Sequence, residues 1–158
     1  MTNRASITAE YMALFRALES LRPSRSRLFF DPDATLFLTG GRKWLARVAL
    51  PTGRYLAEWL LDRASPGAKA AGIARTKWID DRATAVLKTV PQLVLLGAGF
   101  DMRALRLPQV TRAFTFELDH PQTSSAKQAV LKSVQLKPPG RVRYIGVDFN
   151  RQLLAGSL

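Results

Sequence analysis

Four apolar residues, Leu93-Val94-Leu95-Leu96, run without alternation into Gly97-Ala98-Gly99 and then into Phe100-Asp101. A short apolar run of this kind suits a strand of a parallel sheet, whose two faces are both covered by helices. Gly97 and Gly99 carry no Cβ, so the backbone can turn sharply there and come close to a bound ligand. The segment therefore predicts a buried parallel strand that delivers a glycine turn to the carboxyl edge of a sheet, where α/β folds bind nucleotide-type ligands.

Two later segments extend the pattern. Thr115-Phe116-Glu117-Leu118-Asp119 is strand-like, and its last carboxylate lies 22 positions after Gly97. In a strand-helix-strand unit the tip of the second strand lies beside the glycine turn, so a carboxylate there can accept from both hydroxyls of a ribose. Glu117 is two residues earlier, hence on the same face as Asp119 and able to support it. A third strand, Arg141 to Val147, ends at Asp148. Three strands that each finish in Gly or Asp form one βαβ series with its ligand groups along one rim. Met102 stands where a dinucleotide fingerprint has its third glycine, which makes a nicotinamide or flavin dinucleotide the second choice of ligand. Asp101 has two readings, a cap on the helix that follows or a ligand contact.

Before the glycine turn the periodicity is helical. Tyr11, Leu14, Phe15, Leu18 and Leu21 recur at helical spacing until Arg22-Pro23-Ser24. A second helical stretch covers Arg42 to Arg63, and Pro51-Thr52-Gly53 splits it. After Ser65-Pro66-Gly67 a third set, Ile79, Ala83, Val86, Leu87 and Val90, marks a helix that ends near Pro91. Asp80 and Asp81 are expected on its solvated face. The chain thus divides into helical residues 1–90 and strand-bearing residues 91–158.

Composition narrows the ligand chemistry. The chain has no cysteine and one histidine, so thiolate sites are excluded and no metal is expected. His120 precedes Pro121 at a helix start and reads as a turn residue rather than a base. No window is long and apolar enough to span a bilayer, which points to a cytoplasmic protein with no membrane partner. The formal net charge of +12 raises nucleic-acid binding as an alternative. Against it, residues 1–75 and 76–158 each carry 12 Lys/Arg and 6 Asp/Glu, so there is no basic tail. Arg22, Arg25 and Arg27 lack interleaved aromatics for stacking bases.

Order and spacing of several short motifs resemble the S-adenosylmethionine-dependent methyltransferases of the leucine carboxyl methyltransferase type, including many bacterial O-methyltransferases. The matching parts are Asp31-Pro32-Asp33-Ala34, Ala74-Arg75-Thr76 with Asp80-Asp81, Leu96-Gly97-Ala98-Gly99-Phe100-Asp101 with Arg103 and Arg106, Phe116-Glu117-Leu118-Asp119-His120-Pro121 with Lys127, and Val147-Asp148. The resemblance implies S-adenosyl-L-methionine as cofactor and a Rossmann-like α/β fold, with residues 1–90 as a helical cap. It gives Arg75 the carboxylate of the methionine moiety, a task for a planar fork of donors. It gives Gly97 the close backbone approach, Asp119 the ribose, and Asp148 with Phe149 the adenine. Met102 replaces a small hydroxyl residue common in the family.

Family members continue well beyond Leu158, into the second half of a seven-stranded sheet. The resemblance therefore implies that residues 91–158 hold strands one to three, the first half, and that the chain is truncated. Strand one would then be an open apolar edge, able to self-associate. The expected activity is O-methylation of a carboxylate on a small molecule or peptide, for which no catalytic residue is identified. A carboxylate is already ionised at neutral pH, so positioning and desolvation suffice. A catalytically silent cofactor-binding module is the alternative.

Overall fold

The computed structural model describes residues 6–48, 53–138 and 140–152. The chain forms two compact units, Glu10–Asp81 and Arg82–Leu158 with Met1–Ala9.

The helical unit is organised by α1 (Ile7–Ser20). Of the periodic set, Leu14, Phe15 and Leu18 are buried, with Ala13 and Ala17 beside them, whereas Tyr11 is exposed and Leu21 half-buried. The same helix buries charged groups, and each is answered by a partner. Arg16 Nε donates to Asp31 Oδ2 at 2.8 Å, and Glu19 Oε1 accepts from the Leu28 N–H at 2.6 Å. Glu10 accepts from the Thr39 N–H (2.6 Å), the Thr39 hydroxyl (2.7 Å) and Arg42. Burial would raise the Glu10 pKa, but these hydrogen bonds outweigh it and hold the carboxyl below its ordinary value. A 3-10 helix at Pro32–Phe37 follows.

Next come α2 (Gly40–Val48), α3 (Arg54–Ala64) and α4 (Ala68–Val86). The expected break at Pro51-Thr52 lies outside the described residues, and Gly53 stands immediately before α3. Two expectations need correction. The α4 helix stops at Val86 rather than near Pro91, because Thr89 and Val90 fold back in a turn on the Val86 carbonyl. Asp80 is buried rather than solvated, while Asp81 is exposed and paired with Lys77 at 2.6 Å, one helical turn away.

The second unit carries a three-stranded parallel sheet in the order β1 (Gln92–Leu96), β2 (Phe114–Asp119), β3 (Arg141–Gly146). A Rossmann-like α/β arrangement is thus present. In a parallel pair the register partners share a face. Leu95, Glu117 and Tyr144 therefore point one way, and Leu96, Leu118 and Ile145 the other. The first face is covered by α6 (Pro121–Ser133), which buries Thr123, Ser124, Lys127 and Leu131. On the opposite face Val94 is 44% and Leu96 58% exposed, with Phe114 beside them. The expectation of a buried first strand is corrected here. Among the described residues β1 is paired with β2 alone, and its Val94 and Leu96 are open, whereas Leu118 on the same face of β2 is fully buried.

Candidate ligand-binding rim

The strands end in register, and the backbone ladder continues one step past them. The Ala98 N–H donates to the Leu118 carbonyl at 3.1 Å, and the Val147 N–H to the Asp119 carbonyl at 2.8 Å. These bonds draw the glycine turn, Asp119 and the start of the Val147-Asp148 segment onto one rim. Both glycines of the turn are left-handed, Gly97 at φ +63° and Gly99 at φ +52°. Other residues populate that region only at a cost. A Cβ added to Gly97 would meet nothing within 4 Å, so the exposed backbone there borders open space. At Gly99 a Cβ would stand 3.1 Å from the Ala9 Cβ. Gly97 thus leaves room for a ligand, and Gly99 permits close packing.

Asp119 fastens the turn. Its Oδ2 accepts from the Gly99 N–H at 2.5 Å and its Oδ1 from the His120 N–H at 2.6 Å. A carboxylate offers about four acceptor positions, so further donors can still bind it. Asp101 closes the turn from the other side: its own N–H donates to the Ala98 carbonyl at 2.9 Å, and its Oδ1 accepts from the Arg103 N–H at 2.7 Å. Asp101 thus stands one residue before Met102, the N-cap of the four-residue helix α5 (Arg103–Arg106), and its carboxylate also accepts from the Arg103 guanidinium. Met102 is fully buried in this bend. His120 is the N-cap of α6, accepting from the Gln122 N–H at 3.4 Å, with Pro121 in the first turn.

Glu117 lies beneath the rim. It points to the same face as Asp119 but is buried under α6, where its Oε2 accepts from Lys127 Nζ at 2.5 Å. Lys127, 1% exposed, also donates to the Asp101 carbonyl and stands 5.8 Å over the Tyr144 ring. One ammonium group thereby ties α6, β2 and the end of the glycine turn together. Burial raises the Glu117 pKa above its ordinary value, and the Lys127 charge and hydrogen bond oppose that rise. Tyr144 is pushed up to about 12, by burial first and by Glu117 second. Lys127 is part of the motifs that carry the resemblance, but the sequence assigns it no contact. A Glu two positions before a rim Asp, on a strand covered by the next helix, calls for a cation on that helix; this is the signal that could have found it.

The remaining candidates are more open. Asp148 is half-buried and organises the following turn, with Oδ1 accepting from the Asn150 N–H at 3.0 Å, and Phe149 is exposed beside it. Arg75 lies on the exposed side of α4 in the helical unit, its Nη2 3.4 Å from Met12 Sδ. Among the described residues no group of His, Cys, Asp or Glu is arranged to hold a metal ion.

Replacing Lys127 by Met should leave Glu117 buried without its cation and destabilise the fold by about 3–5 kcal/mol at neutral pH. The loss should depend on pH in a defined direction. Without Lys127, burial holds the folded-state pKa of Glu117 still higher, so the native state binds more protons than the unfolded chain and stability falls as pH rises from the ordinary carboxylate range. Denaturant titrations of the variant should show a small deficit under acid conditions that grows toward neutrality. Adding Glu117→Gln should flatten that profile, and a deficit independent of pH would contradict the ion-pair role.

The model of the leucine carboxyl methyltransferase family matches residues 9–158. A protein of Mycobacteroides abscessus is 30% identical over 156 residues, covering 98% of this chain and 51% of its own length. One of Mycobacterium bovis is 41% identical over 159 residues, covering 94% of this chain and 45% of its own, and one of Streptomyces coelicolor is 38% identical over 132 residues, covering 79% and 42%. All three bear the name "Putative S-adenosyl-L-methionine-dependent methyltransferase". The chain spans about half the length of these curated relatives. With its glycine turn, rim carboxylates and parallel sheet, this chain belongs to the leucine carboxyl methyltransferase family.

Proposed function

We propose that the rim of Gly97, Gly99, Asp119 and Asp148 holds S-adenosyl-L-methionine, and that the protein serves methyl transfer to a carboxylate on a small molecule or peptide. The observation that carries the reading is the open left-handed turn at Gly97 beside the Asp119 carboxylate. When bound, the cofactor supplies a methyl group activated by a sulfonium. Asp119 keeps acceptor capacity for ribose hydroxyls while fixing Gly99. Asp148 offers an acceptor to the exocyclic amine of adenine, with Phe149 as an apolar wall. Glu117 acts one layer below, through Lys127, rather than on the ligand. Asp101 sets the bend of the turn. Arg75 keeps the role that the resemblance gives it, pairing with the carboxylate of the methionine moiety.

A carboxylate acceptor suits this constellation because it needs no deprotonation, whereas an alcohol or phenol would require a base near its hydroxyl. The one histidine is engaged as the α6 cap. The names of the relatives support the cofactor. The exposed face of β1 supports the further reading that the 158-residue chain self-associates or pairs with a partner segment along that edge.

Titration calorimetry with S-adenosylhomocysteine tests the cofactor site. Asp119→Asn retains an acceptor for the Gly99 N–H but loses the charge, and it should weaken binding roughly ten- to hundredfold, the worth of a charge-assisted bond of about 1.5–3 kcal/mol. Arg75→Lys should weaken S-adenosylhomocysteine but leave methylthioadenosine, which lacks the carboxylate, unchanged. Unaltered affinity in Asp119→Asn would overturn the ribose assignment, and equal losses for both ligands would overturn that of Arg75.

The edge is tested by sedimentation velocity. The unmodified chain should run as oligomers, and Leu96→Lys, which puts a charge on the exposed strand end, should shift it toward monomer. A monomeric unmodified chain would contradict this reading.

A further inference from the structure

The helical unit carries a second exposed apolar surface whose chemistry differs from that of β1. On α3, Tyr55, Leu56, Trp59, Leu60 and Arg63 are all exposed. At 100° per residue these positions span about 140° of the helix, one continuous stripe. Leu61, on the other side, is buried. A surface helix of a globular protein normally turns its apolar stripe inward, and here the stripe is turned out.

The two acids of α3, Glu58 and Asp62, pair with Lys69 of α4 at 3.6 Å and 3.3 Å, and Asp62 stays half-exposed at the edge of the stripe. The stripe itself carries a cation, Arg63, whose guanidinium lies 5.9 Å from the Trp59 ring centre. On the neighbouring α2 the exposed side chains include Lys43, Trp44 and Arg47. Trp and Tyr with Lys and Arg is the composition of a helix lying in a bilayer interface, where amphipathic rings sit at headgroup depth and cations meet anionic lipid. The β1 edge, with Val94, Leu96 and Phe114, has aliphatic and phenyl groups on a strand and suits a protein chain instead.

We infer that α2 and α3 form a docking surface for an anionic lipid bilayer, with the α3 stripe of Tyr55, Leu56, Trp59 and Leu60 lying in the interface and Lys43, Arg47 and Arg63 facing the headgroups. No helix among the described residues is long and apolar enough to cross a membrane. That length criterion concerns spanning and does not touch surface binding, so the expectation of no membrane partner is revised here only for the surface. The surface also gives a use to part of the net charge of +12.

Vesicle flotation tests the inference without reference to methyl transfer. The 158-residue chain should float with vesicles of phosphatidylcholine containing phosphatidylserine and stay behind with phosphatidylcholine alone. Of its three tryptophans, Trp44 and Trp59 lie on this surface and are more than half exposed, so binding should shift the emission to the blue. Leu56→Glu with Trp59→Glu should reduce partitioning at least about tenfold. Lys43→Gln with Arg63→Gln, which keeps the apolar stripe, should reduce it about fivefold per charge and lessen its salt dependence. The surface substitutions should leave helical circular dichroism intact, and the charge pair gives an independent answer if the glutamate pair unfolds. Equal flotation with neutral vesicles, or flotation indifferent to both pairs, would overturn the inference. So would a chain that ignores vesicles but changes from oligomer to monomer in the glutamate pair, since a second copy would then be the occupant.

Discussion

The bond from the Gly99 N–H to the Asp119 carboxylate is the constraint on which the rim depends. It joins the end of β2 to the turn that leaves β1, and it can form only because Gly97 and Gly99 take left-handed backbone angles. A chain that turns this tightly exposes backbone rather than side chain at Gly97. Lys127 reinforces the bend from beneath by holding the Asp101 carbonyl while paired with Glu117. Removing a partner from so buried a network costs far more than a surface ion pair, because the remaining charge is left without water. The stiffness of the rim thus comes from below it, and its open side is left for a ligand.

The two exposed apolar surfaces have different physical origins. On β1 the strand has no second neighbour among the described residues, so backbone donors and Val94 and Leu96 are open together. On α3 the backbone is satisfied within the helix, and only side chains are presented. An open strand edge favours pairing with another chain, whereas a satisfied helix with Trp, Tyr and Arg on its surface favours a lipid interface. Because each surface has its own chemistry, charge substitutions at Leu96 and at Leu56 with Trp59 act on separate processes.

Much of this was legible in the residues. The strands begin or end within one residue of expectation, at Gln92 instead of Leu93, Phe114 instead of Thr115 and Gly146 instead of Val147, since apolar runs bounded by Gly, Pro and Asp leave little freedom. The turn role of His120 before Pro121 followed from local chemistry, while Asp101 kept two readings. Exposure was harder to read: four consecutive apolar residues show that a strand can be buried, not that the cover is present. Asp80 failed for a related reason, because a helix with charges on several sides does not declare which side packs. The role of Lys127 depends on α6 folding back over β2, a tertiary relation that spacing along one segment does not contain.

The central claim is that the glycine rim is the adenosyl site. Amide resonances followed by heteronuclear NMR during titration with S-adenosylhomocysteine test it most directly, since Gly97 and Gly99 report on the backbone itself. The expected result is that the largest shifts fall on Gly97, Gly99, Asp119 and Asp148, with residues on the Lys127 side of α6 moving less. Saturable binding whose shifts leave both glycines unchanged and gather elsewhere in the chain would contradict it.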